Sequence, residues 1–103
     1  MANVLNQRVI VLDTFNADVD IALAHSGFTE APMFIDKIVY DGLTAGDHIL
    51  LTDTAGHVVQ AFTADVSGKT FHQGLDDDTA SRGLKMLAAN AAITTGKVYI
   101  HLK

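Results

Sequence analysis

The sequence predicts an all-β fold: a compact antiparallel β-sandwich or small barrel of about six to eight short strands, with room for one short helix. Three observations predict it. Residues 47–63, DHILLTDTAGHVVQAFT, alternate polar and apolar positions on either side of a tight turn. Residues 97–102, KVYIHL, repeat that alternation directly after a second glycine-closed turn, Thr94-Thr95-Gly96. The acidic residues are all Asp except Glu30, and aspartate favours turns and caps over helix interiors.

Residues 8–13, RVIVLD, form a short β-branched run, read as a first strand buried on both sides. Residues 16–24, NADVDIALA, read as one alternating strand with Val19, Ile21 and Leu23 on one side. Residues 25–33, HSGFTEAPM, read as a loop from their Gly, Ser and Pro. In residues 34–41, FIDKIVYD, alternation puts Phe34, Ile38 and Tyr40 with Asp36 on one face and Ile35 and Val39 with Lys37 on the other. After residues 42–46, GLTAG, comes the central hairpin. Asp53 opens its turn by accepting from N–H groups ahead of it, and Gly56 supplies the positive φ that closes the turn with a bulge.

Past Thr63 the signal thins. Residues 64–69 read as a turn around Ser67-Gly68, residues 71–73 as a strand fragment, and residues 73–82, QGLDDDTASR, as a polar loop. Residues 83–93 are two-sided. Leu84, Leu87, Ala88 and Ala91 sit at helical spacing and alanine favours helix, but Gly83 sits badly inside such a helix, although a shorter one could follow it, so an extended strand is preferred. Gly46, Gly56 and Gly96 each end a small polar turn between apolar runs. Their spacing is irregular, which marks repeated turn chemistry and not a solenoid.

At 103 residues the chain fits a single β domain spanning residues 1–103, large enough for one core. It has no cysteine, which excludes disulfides, thiolate metal sites and a cysteine nucleophile. The formal charge is −5 and the basic residues are scattered, which argues against a nucleic-acid partner. No charged-then-apolar leader opens the chain, and its longest apolar runs fall far short of the ~20 residues that cross a bilayer. The expectation is a chain soluble where it is made, with no membrane partner.

Few residues suggest chemistry. His25, His48, His57, His72 and His101 lack the i, i+2 or i, i+4 spacing of a local metal clip, so polar surface positions are expected, with no metal and no cofactor. Asp76, Asp77 and Asp78 are adjacent, whereas calcium loops alternate their ligands around a glycine. They read as a solvated loop, a helix N-terminus, or an acidic contact for a basic partner. No nucleophile elbow, phosphate loop or dinucleotide fingerprint is present, so no catalytic residue is assigned and no enzyme is expected. Phe28, Met33 and Phe34, clustered around Pro32 in the expected loop, are candidate partner contacts, as are the three aspartates. A loop capping the core is the alternative for the aromatic group.

The text from Lys37, KIVYDGLTAGDHILLTDTAGHVVQAFTAD, and the closing TTGKVYIHLK resemble small structural virion proteins of tailed bacteriophages, of the capsid cement or decoration type. Shared features are a strand ending in an aromatic, a small-residue Gly-Asp turn, a strand, an Asp-x-x-Gly turn, a returning strand, and a terminal T-G-K-V-Y-I strand. The matching parts cover less than half the chain. The resemblance implies a non-enzymatic protein that stabilises the head shell through oligomeric contacts. It implies partners among the major capsid protein and other virion proteins, a homo-oligomer (a trimer favoured), synthesis in the host cytoplasm and residence in the virion. A neck or tail accessory virion protein is the nearest alternative, and a small carbohydrate-binding β module or a histidine metalloprotein are more distant ones.

Overall fold

The alternating residues of the central stretch form two strands, β5 (His48–Thr52) and β6 (Val58–Thr63), paired antiparallel. Their turn is built as its residues require. The Gly56 N–H donates to the Asp53 carbonyl (3.1 Å), and the Asp53 N–H donates to the His57 carbonyl (2.9 Å). The His57 N–H meets Asp53 Oδ1 at 2.8 Å, and Gly56 takes φ +88°. The register shifts beside the turn, where Leu51 pairs with Gln60 but Thr52 with Val58. Val59 is the extra residue of this bulge.

A computed structural model describes residues 3–5, 7–74 and 81–103. The other strands are β1 (Val9–Leu12), β2 (Val19–Asp20), β3 (Pro32–Met33), β4 (Ile35–Asp41), β7 (Thr70–Gly74), β8 (Ser81–Arg82), β9 (Lys85–Ala92) and β10 (Lys97–Leu102). One sheet has the order β1-β10-β4-β7 and a second the order β2-β9-β5-β6, with β3-β8 as a short ribbon. Every pairing described is antiparallel. This is the expected all-β, sandwich-like fold. Ile10, Leu12, Ile38, Tyr40, Val98 and Ile100 of the first sheet are fully buried, as are Leu51 and Met86 of the second. Each such aliphatic contributes roughly 1.5–3 kcal/mol relative to an exposed side chain. The inner faces meet where Tyr40 stacks on Phe62 of the second sheet, ring centroids 3.9 Å apart and planes 9° apart. Burial pushes the Tyr40 hydroxyl pKa well up, and the hydroxyl donates to Gln73 Oε1.

Several expectations are corrected. Residues 16–24 are not one strand: β2 stops at Asp20 and a helix, α1 (Ile21–Ser26), follows. Capping decides this. Asp20 Oδ1 accepts the Leu23 N–H (3.1 Å), its Oδ2 accepts the Thr29 hydroxyl, and Gly27 ends the helix at φ +91° by donating its N–H to the Leu23 carbonyl. Replacing Asp20 by alanine is expected to cost about 1–2 kcal/mol, measured as a shift of the urea midpoint with the slope unchanged.

The first run is buried on one face only. Ile10 and Leu12 enter the core while Val9 and Val11 stay half-buried, because β1 lies next to a single full strand, β10, with Val4 bridging to Val11 on its other side. On β4 the expected faces hold for Ile38 and Tyr40 and then invert. His101 pairs with Lys37 but Leu102 pairs with Ile35. Asp36 is the bulged residue, which sends Ile35 into the core and leaves Phe34 exposed.

Residues 25–33 are not purely loop, since they contain the end of α1 and the strand β3. The polar stretch 73–82 likewise begins in β7 and ends in β8. Residues 83–93 are extended, as preferred, forming β9. Ala91 pairs with Ile49 and Met86 with Leu51, so residues 87–90 stand opposite Leu50 alone, an irregularity larger than a simple bulge. There the Ala88 N–H finds Asp18 Oδ1 at 2.8 Å.

Candidate interaction surfaces

The proposed contact residues separate. Phe28 and Phe34 are 57% and 48% exposed, whereas Met33 is 2% exposed. Pairing of β3 with β8, Met33 opposite Ser81, turns Pro32 outward and Met33 into the core. Met33 is therefore a core residue and offers a partner no surface. Asp76, Asp77 and Asp78 lie outside the described residues. Phe28 follows the αL glycine that closes α1 on the Leu23 carbonyl, and Leu23 is itself 49% exposed. A strand over residues 16–24 puts Leu23 on one face with Val19 and Ile21, so its surface role emerges only with the helix. Phe34 sits where its carbonyl receives the Lys103 N–H at 2.9 Å, beside the end of β10.

Two strand edges lie next to each other. Among the described residues, β6 ends the second sheet and β7 ends the first, and each has a single strand neighbour there. Ala64 donates its N–H to the Asp47 carbonyl (2.8 Å), and its carbonyl accepts from Gly46 (2.7 Å). By the period of two, the main-chain groups of Ala61 and Thr63 therefore point away from β5. The Gln73 side chain meets the Ala61 carbonyl at 3.4 Å, spanning from β7 to β6. On β7, the Lys69 carbonyl accepts from Gly42 (3.2 Å), which leaves the main-chain groups of Thr70 and His72 facing outward. Such edges accept an added strand, and a lysine beside one blunts unwanted pairing.

All three turn glycines take positive φ: Gly46 +92°, Gly56 +88° and Gly96 +94°. The fold brings two of the turns together at one end of the sandwich. Thr44 and Thr95 join hydroxyl to hydroxyl (2.8 Å), and the Thr95 hydroxyl also donates to the Gly42 carbonyl (3.0 Å). Between them, the buried Asp47 carboxylate accepts the Thr44 N–H (2.9 Å), the Thr94 N–H (3.1 Å) and the Thr94 hydroxyl (3.2 Å). Burial pushes its pKa up, but the main-chain donors from Thr44, Thr94 and Thr95 outweigh that and hold it below the ordinary value. Because these partners are its own turns, Asp47 is an anchor.

At the other end, the Asp53 turn docks on the chain around β8. Thr54 donates its N–H and its hydroxyl to the Arg82 carbonyl (2.9 and 2.8 Å), and the hydroxyl also reaches the Thr29 carbonyl (3.0 Å). The fit is tight, since a Cβ on Gly83 would stand 2.1 Å from Thr54 Oγ1 and 2.4 Å from the Thr29 oxygen. The His57 N–H donated to Asp53 holds that carboxyl below its usual value, and His57 Nδ1 lies 3.5 Å from Asp53 Oδ2.

The histidines occupy α1, β5, the hairpin turn, β7 and β10. Among the described residues, no three His, Asp or Glu side chains gather as a metal site, and no helix is long and apolar enough to cross a membrane. No family model, curated protein or solved structure matches the chain.

Proposed function

We propose that the chain is a non-enzymatic structural protein of a tailed-bacteriophage particle, acting as a homo-oligomeric cement on the head shell. The observation that carries this reading is the turn–strand pattern from Lys37 through the Asp53 turn, closed by the Thr95-Gly96-Lys97 strand. Two features of the fold support it. The adjoining edges of β6 and β7, each with one strand neighbour among the described residues, suit strand addition by a neighbouring molecule. The exposed Phe28 and Phe34 add apolar contact area at a separate place. Asp47 and the glycine-closed turns lock both ends of the sandwich, giving a rigid body able to bridge subunits.

Purified protein should co-sediment with the assembled heads encoded alongside it, and particles lacking it should lose infectivity at a lower temperature. Absence of binding together with unchanged heat resistance removes the cement role. Copy number separates the locations: hundreds per particle place it on the shell, whereas about six or twelve place it on a neck or tail of cyclic symmetry.

A further inference from the structure

The outer face of the first sheet carries an apolar row that the core does not use. Residues alternating with the buried Ile10, Leu12, Ile38, Tyr40, Val98 and Ile100 point away from the interior. Register aligns Val11, Tyr99 and Val39 directly across β1, β10 and β4, with Val4 bridged to Val11 beyond them. Val11, Tyr99 and Val39 are half-buried and Val4 is exposed. Lys97 lies one row from Tyr99 and Val39 on one side, and Lys37 one row away on the other.

The charges around this row run against the chain as a whole. The chain has a net charge of −5. Yet this sheet holds Lys37 and Lys97 on its strands and Arg8, Lys69 and Lys103 at their ends, against Asp13, Asp36 and Asp41. Asp41 is engaged by the Thr70 hydroxyl at 2.7 Å. Among the described residues, neither Lys37 nor Lys97 has an ion-pair partner. The acidic surplus therefore belongs to the rest of the chain. One part of it stands beside exposed apolar surface: the corner around Gly27 presents Leu23 and Phe28 with the exposed Glu30, and Glu30 too is unpaired among the described residues.

We infer that copies of this chain associate head to tail, the Leu23–Phe28–Glu30 corner of one seating on the Val11–Tyr99–Val39 row between Lys37 and Lys97 of the next. Each surface has an apolar centre, and their unpaired charges are opposite. Two copies of the sheet face would bring lysines against lysines, so a two-fold arrangement is disfavoured and the contact is between different patches. Such contacts close into rings or run on as filaments. The inference rests on the homo-oligomeric reading above and names the surfaces that would join the copies.

Sedimentation velocity of the purified chain at micromolar to hundred-micromolar concentration tests it, in low and in high salt. Wild type should self-associate, and more weakly in high salt. Lys37→Glu/Lys97→Glu and, separately, Phe28→Lys/Glu30→Lys should each weaken association about tenfold or more. Circular dichroism and thermal melting like those of wild type show that both variants fold. Mixed in equal amounts, the two variants should associate again, because the reversed face of the first meets the reversed corner of the second, and the unchanged face of the second meets the unchanged corner of the first. A monomeric wild type overturns the inference, as does undiminished association of either folded variant or failure of the mixture to recover. Association without head binding removes the cement role and leaves the head-to-tail contact standing, whereas head binding by a monomer does the reverse.

Discussion

Gly96→Ala is expected to destabilise the fold by about 3–5 kcal/mol, several times the cost of the same change at Gly56. Both glycines close a small polar turn, and their φ values are nearly equal, +94° and +88°. The conformational part of the penalty is therefore shared, about 1–2 kcal/mol for a Cβ in the left-handed region. The surroundings differ. A Cβ on Gly56 meets nothing within 4 Å, whereas one on Gly96 would stand 2.4 Å from the Asp41 carbonyl oxygen and 2.7 Å from the Gly42 carbonyl carbon. Those atoms are main chain at the end of β4 and cannot rotate away. Relief requires moving β4 or β10 where they carry Tyr40 and Val98, adding about 2–3 kcal/mol, the upper part of the usual overpacking range. Thermal melts of the two variants check this. Gly96→Ala should lower Tm by about 15 °C or more and Gly56→Ala by about 4–8 °C. Equal shifts would mean that the close approach at Gly96 contributes nothing.

That contrast also shows where sequence reading stops. Positive φ at Gly46, Gly56 and Gly96 was legible, because a glycine after small polar residues between apolar runs has a local cause. What stands opposite Gly96 is non-local: it depends on Asp41 and Gly42, more than fifty positions earlier. The same division runs through the strands. β5 and β10 were legible because their alternation is uninterrupted and one face is buried, whereas β6 was legible as a strand although the Val59 bulge breaks its alternation and none of its residues is fully buried. The Asp36 bulge was not, since a single inserted residue leaves the sequence alternating while inverting which side is buried. Phe34 therefore reads as a neighbour of Ile38 and lies outside. The helix α1 was missed because Ile21 and Leu23 fit a strand as well as one turn of helix, and six residues are too few for a helical period to show. Its signal was at its ends, in Asp20 three residues before Leu23 and in Gly27.

The candidate surfaces were legible only in part. Phe28 and Phe34 could be marked as contacts because aromatics beside Pro and Gly suggest exposed loop. Met33 carries the same signal and is lost to the core through its pairing with Ser81, a partner nothing local announces. The outer row of Val11, Tyr99 and Val39 could not be seen at all. Each residue is ordinary in its own strand, and the row exists only through the order β1-β10-β4, which brings the N-terminal strand beside the C-terminal one.

Asp47→Ala is expected to cost about 3 kcal/mol at neutral pH. The substitution leaves the main-chain N–H groups of Thr44 and Thr94, now bonded at 2.9 and 3.1 Å, without their acceptor. Hydrogen bonds to a charged acceptor are worth roughly 1.5–3 kcal/mol each, and the lower end applies here because Thr44 is half-buried and Thr94 exposed, so water partly replaces the lost acceptor. It also frees the Thr94 hydroxyl and loosens the two turns that the Thr44 and Thr95 hydroxyls hold together. The effect should depend on pH in a definite sense. Donors from the main chain lower the folded carboxyl's pKa relative to the unfolded chain, so its contribution is complete above the ordinary carboxylate value. It is lost as pH falls through the lower folded value. The difference between wild type and variant isolates Asp47, because Asp53 and the other carboxylates are common to both proteins. Urea unfolding at pH 7 should show the full gap, and the gap should narrow as the pH is taken below about 4. A gap that stays constant down to pH 2 would mean that the turns are held by the threonine hydroxyls and chain geometry alone. A gap that narrows places the charge itself among the forces closing this end of the sandwich, where β4, β5 and β10 all begin or end.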